Sequence, residues 1–360
     1  MKLEEKLCLI MSSLEISNVK QRDLFACTDA ELLWTNFYDE NQNIRKILGE
    51  KDLCRLKKCL NQTYFDELET QLLKNDVTAL TYFSPKYPQK LLDIPDPPYT
   101  LYCRGDIGLL NSDAVAVVGT RKVSAYGRRV TSHFTAELAK HFTIISGLAY
   151  GVDTVAHETT LKGVGKTVAV LGSGVCNIYP AANENLAKKI LDNGGLIISE
   201  FGVFSEPNNY HFPMRNRIVS GLSKALLITE APLKSGTMTT LEHALEQGKD
   251  VFAVPGEIYS QNSMGCNELL KRLQGALVTD PKDILHDMNI RYEKKEKKSI
   301  QLDLTQQSVV NLLIAGKKNF DTLIEESKLN PSELAFILSN LELMGCIMKL
   351  PGNVYQYMED

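Results

Sequence analysis

The chain has 360 residues, enough for two or three domains and at least one full-sized core. Apolar residues make up 44% and charged residues 23%, ordinary proportions for a globular protein. A formal net charge of -4 excludes a global attraction to nucleic acid or to an anionic membrane, so any such binding has to come from a local patch.

The N-terminus, MKLEEKLCLIMSSLEIS, puts glutamates ahead of a short apolar run and reads poorly as a signal peptide. No window approaches the ~20 apolar residues needed to span a bilayer, so a soluble, cytoplasmic protein without a membrane partner is expected. Eight cysteines are scattered along the chain with no CxxC pair, which favours free thiols in a reducing compartment over disulfides or zinc. Residues 1–80 show helical spacing: Leu3, Leu7 and Ile10 share one face, Leu53, Leu56 and Leu60 another, and Phe65, Leu68 and Leu72 a third. The next segment, YFSPKYPQKLLDIPDPPYTLYCRG, carries prolines at 85, 88, 95, 97 and 98, a density that excludes regular helix and favours an extended connection.

From about 112 to 286, short β-branched runs alternate with helical segments: VAVVG (115–119), FTIIS (142–146), TVAVLG (167–172), GLIIS (195–199), ALLITE (225–230) and DVFAVP (250–255). Runs apolar on both faces suit a parallel sheet covered by helices, so the fold class is α/β, Rossmann-like and doubly wound with a mainly parallel sheet. RYEKKEKKS (291–299) reads as a charged linker. Helical stretches at 305–315, 320–327 and 331–344, then two β-prone runs around Pro351-Gly352-Asn353, resemble a winged helix. The expected organisation is a helical domain over 1–80, the α/β domain over 81–288, a linker over 289–302 and a winged-helix-like domain over 303–360.

In an open parallel sheet, ligands bind beyond the carboxyl ends of the strands. Gly119, Thr120, Arg121, Lys122 and Ser124 fall between the first of these strands and its helix; Ser146 and Gly147 follow the second. Lys234, Ser235, Gly236 and Thr237 open the helix after ALLITE. Small residues there let backbone N–H groups approach a ligand, and a helix N-terminus favours negative charge, so these loops read as several phosphate cradles along one edge.

The signatures of a nucleotide enzyme fail. VGTRKVS lacks the second glycine of GxGxxG, and Gly165-Lys166-Thr167 precedes a strand instead of following one, with Thr160 where a Walker A motif needs glycine. Asp153 and His157 stand at i, i+4 without a third metal ligand, and an intrahelical hydrogen bond or a packing contact accounts for them better. No serine sits in GxSxG and no nucleophile has an evident base, so no catalytic residue, metal or cofactor is assigned.

The stretch NYHFPMRNRIVSG (209–221) gathers His211, Phe212, Arg215 and Arg217 at a helix start, with Pro213 suited to the first turn. Arg215 and Arg217 lie roughly 200° apart around a helix and cannot point the same way; one reaches a ligand while the other braces the sheet edge or a carboxylate. Phe212 either stacks on a base or enters the core, and His211 either contacts phosphate or only lines the site. Phosphate cradles, guanidiniums and a ring together fit a polyanion with flat groups.

GTRKVSAYG (119–127), SGLAYGVDTVAH (146–157), LGSGVCNIYP (171–180), HFPMRNRIVSGLS (211–223), SGTMTTLEHALEQGKDVFAVPG (235–256) and SMGCNELL (263–270) occur in the order and spacing of the DNA-processing protein A family, DprA or Smf, which residues 80–286 resemble. The flanks are consistent with a family that often has a helical N-terminal domain, of SAM or helix-hairpin-helix type, and a C-terminal winged helix. The resemblance implies a single-stranded DNA-binding protein of natural transformation that protects incoming DNA, acts as a homodimer and helps load RecA in place of single-strand-binding protein. It also implies a DNA pocket of Arg121, Phe212, Arg215, Arg217, Lys234, Ser235, Gly236 and Thr237. Two departures stand out: LKRLQGA (270–276) is longer than the usual spacing, and Thr120 stands where serine is common. SGTMTTLEH (235–243) is also similar to the PGGxGT-type loop of Rossmann-like enzymes that cleave N-glycosidic bonds, with Glu242 as the acid, although Leu233-Lys234 replaces its glycine-rich lead. Between Asn330 and Gly345 the only charges are Glu333 and Glu342, so the winged helix is expected to meet protein and not DNA.

Overall fold

The computed structural model describes residues 1–35, 42–290 and 302–358; the charged segment 291–299 lies outside them. The chain falls into two compact units, Met1–Tyr292 and Glu293–Asp360.

The first unit begins with α1 (Leu3–Ser13), α2 (Asn18–Cys27), α3 (Ala30–Trp34), α4 (Gln42–Cys59, interrupted at Gly49) and α5 (Gln62–Lys74). Then come β1 (Thr78–Thr81), α6 (Gln89–Leu92), β2 (Thr100–Gly105), β3 (Ala114–Val118), α7 (Ala125–Leu138), β4 (Thr143–Ser146), α8 (Val152–Lys162), β5 (Thr167–Val170), α9 (Glu184–Asp192) and β6 (Leu196–Ser199). The unit closes with α10 (His211–Gly221), β7 (Ala225–Ile228), α11 (Gly236–Glu246), β8 (Asp250–Ala253), α12 (Met264–Lys271), β9 (Ala276–Leu277) and α13 (Pro281–Asp287).

Every β-branched run of the sequence is a strand. The sheet has nine strands in the order β1-β2-β6-β5-β4-β3-β7-β8-β9, parallel from β6 to β9 and antiparallel at β1 and β2. Alternate side chains of one strand feed opposite cores, as the pleat requires. Ala114, Ala116 and Val118 of β3 pack with Ile218 and Val219 of α10 and Leu241 of α11, while Val115 and Val117 pack with Phe134 of α7 and Val152 and Ala156 of α8. The N-terminal helices share a core with the sheet: Leu7, Leu24, Leu56 and Phe65 cluster with Tyr102 of β2, Ala169 of β5 and Ile197 of β6.

The proline-rich connection departs from the expectation. Its prolines lie between β1 and β2 and leave TLYCRG free to pair antiparallel with β1 on one side and β6 on the other. It also contains the one-turn helix α6, with Pro88 as its N-cap, a position that needs no N–H donor.

The second unit contains α14 (Leu304–Ile314), β10 (Lys318–Asn319), α15 (Phe320–Ser327), α16 (Pro331–Leu343), β11 (Ile347–Leu350) and β12 (Val354–Tyr357), with a three-stranded antiparallel sheet in the order β10-β12-β11. Val309, Leu323, Leu334, Leu338 and Ile347 form its core. Gly352 and Asn353 take positive φ at the hairpin tip. On α16, Phe336 and Leu343 are 68% and 86% exposed, with Glu333 and Glu342 on the same helix.

No helix among the described residues is long and apolar enough to cross a membrane. The eight cysteines are free.

His157 of α8 is fully buried, with Nδ1 2.7 Å from the Thr167 hydroxyl. That hydroxyl donates to the Ile144 carbonyl, so Nδ1 carries the proton and donates. Burial, helped by Arg215, pushes the imidazole down to about 3. In the unfolded chain the ring titrates near ~6.5, so below that pH the unfolded state binds a proton the folded state refuses. Stability from this group is therefore complete above pH ~6.5 and lost as pH falls towards 3, at up to ~1.4 kcal/mol per pH unit. Urea unfolding at several pH values should show a shallower acid-side loss in His157→Asn than in the wild type; equal slopes would mean the ring is protonated in the fold.

Candidate nucleic-acid interface

The strand order reverses at β3: β4, β5 and β6 are laid to one side, and the chain then crosses to β7 and β8 on the other. A cleft of about 420 Å³ opens there, beyond the carboxyl ends of β3, β4 and β7, where a doubly wound sheet leaves room for a ligand. Three loops and the start of α10 line it.

The first loop, Gly119 to Ser124, is fixed from below. The Thr120 amide donates to the Glu230 carbonyl (2.7 Å), and the Val152 amide donates to the Thr120 carbonyl (3.1 Å). The buried Glu230 carboxylate accepts from the Ser124 amide (2.9 Å) and hydroxyl (2.6 Å). The same hydroxyl accepts from Gly127 as the N-cap of α7. This leaves Arg121 and Lys122 exposed at the rim, and Arg121 lies over the Phe212 ring at 5.4 Å.

The second loop, after β4, is held by Asp153. Its carboxylate accepts from the amides of Gly147 (3.1 Å) and Ala149 (3.3 Å). Burial raises its pKa, while Arg215 and these amides pull the other way. Gly151 turns the chain with φ 78, and a Cβ there would stand 2.2 Å from the Thr120 carbonyl oxygen. Arg215, only 5% exposed, donates from one Nη to the carbonyls of Gly147 (2.6 Å) and Val170, and from Nε to Asn216 (3.1 Å). A Cβ on Gly147 would fall 2.6 Å from that guanidinium. Burial pushes Arg215 down to about 10, with Asp153 opposing and Arg121 adding to the shift, so it remains charged at neutral pH.

The third loop ends at Ser235, the N-cap of α11. Among the described residues, the amides of Gly236 and Thr237, the first two of the helix, donate to no protein group, and the buried Ser235 hydroxyl has no partner either. Three unfilled donors at a helix N-terminus, facing Arg121, Lys122 and Arg215 across the cleft, form a site for an anion. The Phe212 ring, 5.5 Å from Tyr179, supplies a flat apolar wall.

With this geometry in view, comparison with known proteins is decisive. The family model for DNA recombination-mediator protein A matches residues 78–289, and that for the DprA winged helix domain matches 293–353. The chain belongs to the DNA recombination-mediator protein A family, DprA or Smf. It is 37% identical over 283 residues to DNA processing protein DprA of Streptococcus pneumoniae, a match that covers 76% of this chain and 98% of that protein. It is 46% identical over 204 residues to Protein Smf of Escherichia coli, covering 56% of this chain and 54% of that one. The X-ray structure of the Streptococcus pneumoniae protein superposes with a TM-score of 0.65 at 31% identity, over 81% of this chain and 99% of that chain. DNA processing protein A from Helicobacter pylori, whose structure describes its single-stranded DNA binding mode, has a TM-score of 0.54 at 32% identity, over 59% of this chain and 95% of that chain.

Of the residues singled out in the sequence, Gly119, Thr120, Arg121, Lys122, Gly147, Phe212, Arg215, Ser235, Gly236 and Thr237 line the cleft together. Lys234 is exposed on the residue before Ser235 but is not part of the lining. Ser124 and Ser146 are used inside the fold, the first on Glu230 and the second on the Val117 carbonyl at 2.7 Å. His211 stacks on Phe201 with ring centres 3.8 Å apart. Arg217 points away from the cleft: its Nη atoms grip both Glu200 oxygens at 2.6 Å, and Nε meets Asp96 at 3.1 Å. Burial works against its charge, but Glu200 and Asp96 hold its pKa above the ordinary value. Asn216, marked in the sequence only by its place between the two arginines, also lines the cleft; its Nδ2 donates to the Gly236 carbonyl at 3.2 Å and ties α10 to α11.

Because Glu200 is 5% exposed, Arg217→Ala strands a buried carboxylate and should cost about 3–5 kcal/mol in urea unfolding. Wild-type stability in that variant would mean the ion pair is solvated and weak.

Proposed function

We propose that this protein binds single-stranded DNA across the carboxyl edge of its sheet and acts as a recombination mediator in natural transformation. In this reading it works in the cytoplasm as a homodimer, shields incoming strands from degradation and helps RecA displace single-strand-binding protein. The observation that carries the reading is the pairing, in one cleft, of the Arg121 guanidinium over the Phe212 ring with the unfilled donors of Ser235, Gly236 and Thr237. A phosphate takes the donors and the cation while an adjacent base meets the ring, a combination a free mononucleotide would use once and a polynucleotide repeatedly. Lys122 and Lys234 extend the positive rim on either side, within a molecule whose overall charge is -4. Family membership, and the single-stranded DNA binding mode described for the Helicobacter pylori relative, support the same ligand.

A binding role is favoured over N-glycosidic hydrolysis. Glu242, the acid the sequence offered, is exposed on α11 and does not line the cleft, and Asp153, which does, is engaged by two loop amides.

Arg121→Ala should keep the fold, lower affinity for oligo-dT and reduce the steepness of log K against log salt by about 0.7, the share of one phosphate on a single strand. Phe212→Ala should weaken binding by about 1–3 kcal/mol with little change in that slope. Titrations followed by fluorescence anisotropy across a salt series read both; unchanged affinity in Arg121→Ala would remove the cleft from consideration. RecA filament growth on strands already coated with single-strand-binding protein, with and without this protein, tests the mediator role.

A further inference from the structure

Solvent-exposed tyrosines are not spread over the described surface. Those more than a third exposed are Tyr126, Tyr150, Tyr179, Tyr210 and Tyr259. Each lies in the loop or first helical turn after the carboxyl end of a different strand: β3, β4, β5, β6 and β8 in turn. Apolar side chains scattered singly on a surface need no explanation, but a row of them confined to one edge marks a binding surface.

The row extends past the cleft towards β8, while Tyr210, the N-cap of α10, stands at the cleft mouth between the lining residues Asn209 and Phe212. In the β6 loop Tyr210 is 80% exposed, and in the β8 loop Tyr259 is 84% exposed with Ile258 beside it. The β8 loop is braced against the cleft: the Asn262 amide group donates to the Lys122 carbonyl at 3.0 Å, and the Tyr126 hydroxyl donates to the Pro255 carbonyl at 2.6 Å. Asn267 holds its base by a reciprocal pair of 3.1 Å bonds with Gly256. On the other side, Tyr179 touches Phe212, so ring follows ring out of the cleft.

We propose that these tyrosines form a base-stacking track, from Tyr179 on one side to Tyr259 on the other, that carries a single strand through and beyond the cleft. The proposal rests on the reading of the cleft as a single-stranded DNA site and adds the strand's path and length. From β5, which Tyr179 follows, to β8 the sheet order gives four inter-strand steps, about 19 Å at ~4.8 Å each. That is the rise of about six stacked nucleotides at ~3.4 Å, and fewer if the strand is stretched. The only ionisable side chain between Gly256 and Ser263 other than Tyr259 is Glu257, so the β8 end of the track gains nothing from phosphates and must act through bases.

The test compares oligo-dT of about 20 nucleotides with oligo-dT of about four, enough for the cleft alone. Tyr259→Ser, at an exposed site, should weaken the long oligonucleotide about tenfold, leave the short one and the salt slope unchanged, and be rescued by Tyr259→Phe. Equal loss on both lengths, no loss on either, or a loss that comes with a changed oligomeric state in sedimentation would overturn the track. Failure of the wild type to bind the long oligonucleotide would instead sink the underlying DNA reading.

Discussion

The buried guanidinium of Arg215 is the constraint on which the cleft depends. It bonds the carbonyl just past β4 and the one that ends β5, and it lies close enough to the Asp153 carboxylate for each to shift the other's titration. A charge with so little access to water is tolerable only because fixed carbonyls and a carboxylate replace its hydration. In return it sets the height of α10 against the sheet, and that in turn places Phe212 beneath Arg121. A side chain at Gly147 would have to displace that guanidinium from the carbonyls it bonds.

Arg217, two residues on, does the complementary job. Its fork closes on Glu200, and the Glu200 carboxylate also accepts from the side-chain amide of Asn18 of α2 at 3.0 Å, while the side-chain oxygen of Asn18 accepts from the Tyr99 amide. One helix therefore uses alternate faces for different tasks, the floor of the cleft with Arg215 and the attachment of the N-terminal helices with Arg217. The helical segment is joined to the sheet by this polar relay as well as by a shared apolar cluster.

Much of this was legible in the sequence because the signals were local. The β-branched runs became strands within a residue or two of their expected ends, and the loops after them carried the lining residues. The 200° separation of Arg215 and Arg217 required different roles, although which one faced the cleft could not be read, since both are buried and only their distant partners, Asp153 and Glu200, distinguish them. The same limit applies to Ser124 and Ser146: a serine beside a glycine-rich turn looks like a phosphate ligand until Glu230, over a hundred residues away, is found to occupy it. β1 and β2 were missed because proline density was read over the whole segment, whereas pairing needs only four to six residues free of proline.

Part of what lines the cleft is bare main chain, at Gly119, Gly147 and Gly236, set among cations, hydroxyls and a ring. Amide hydrogens present the same face to every nucleotide, and an aromatic plane accepts purine and pyrimidine alike. A lining of that kind offers no hydrogen-bond pattern by which one base could be told from another.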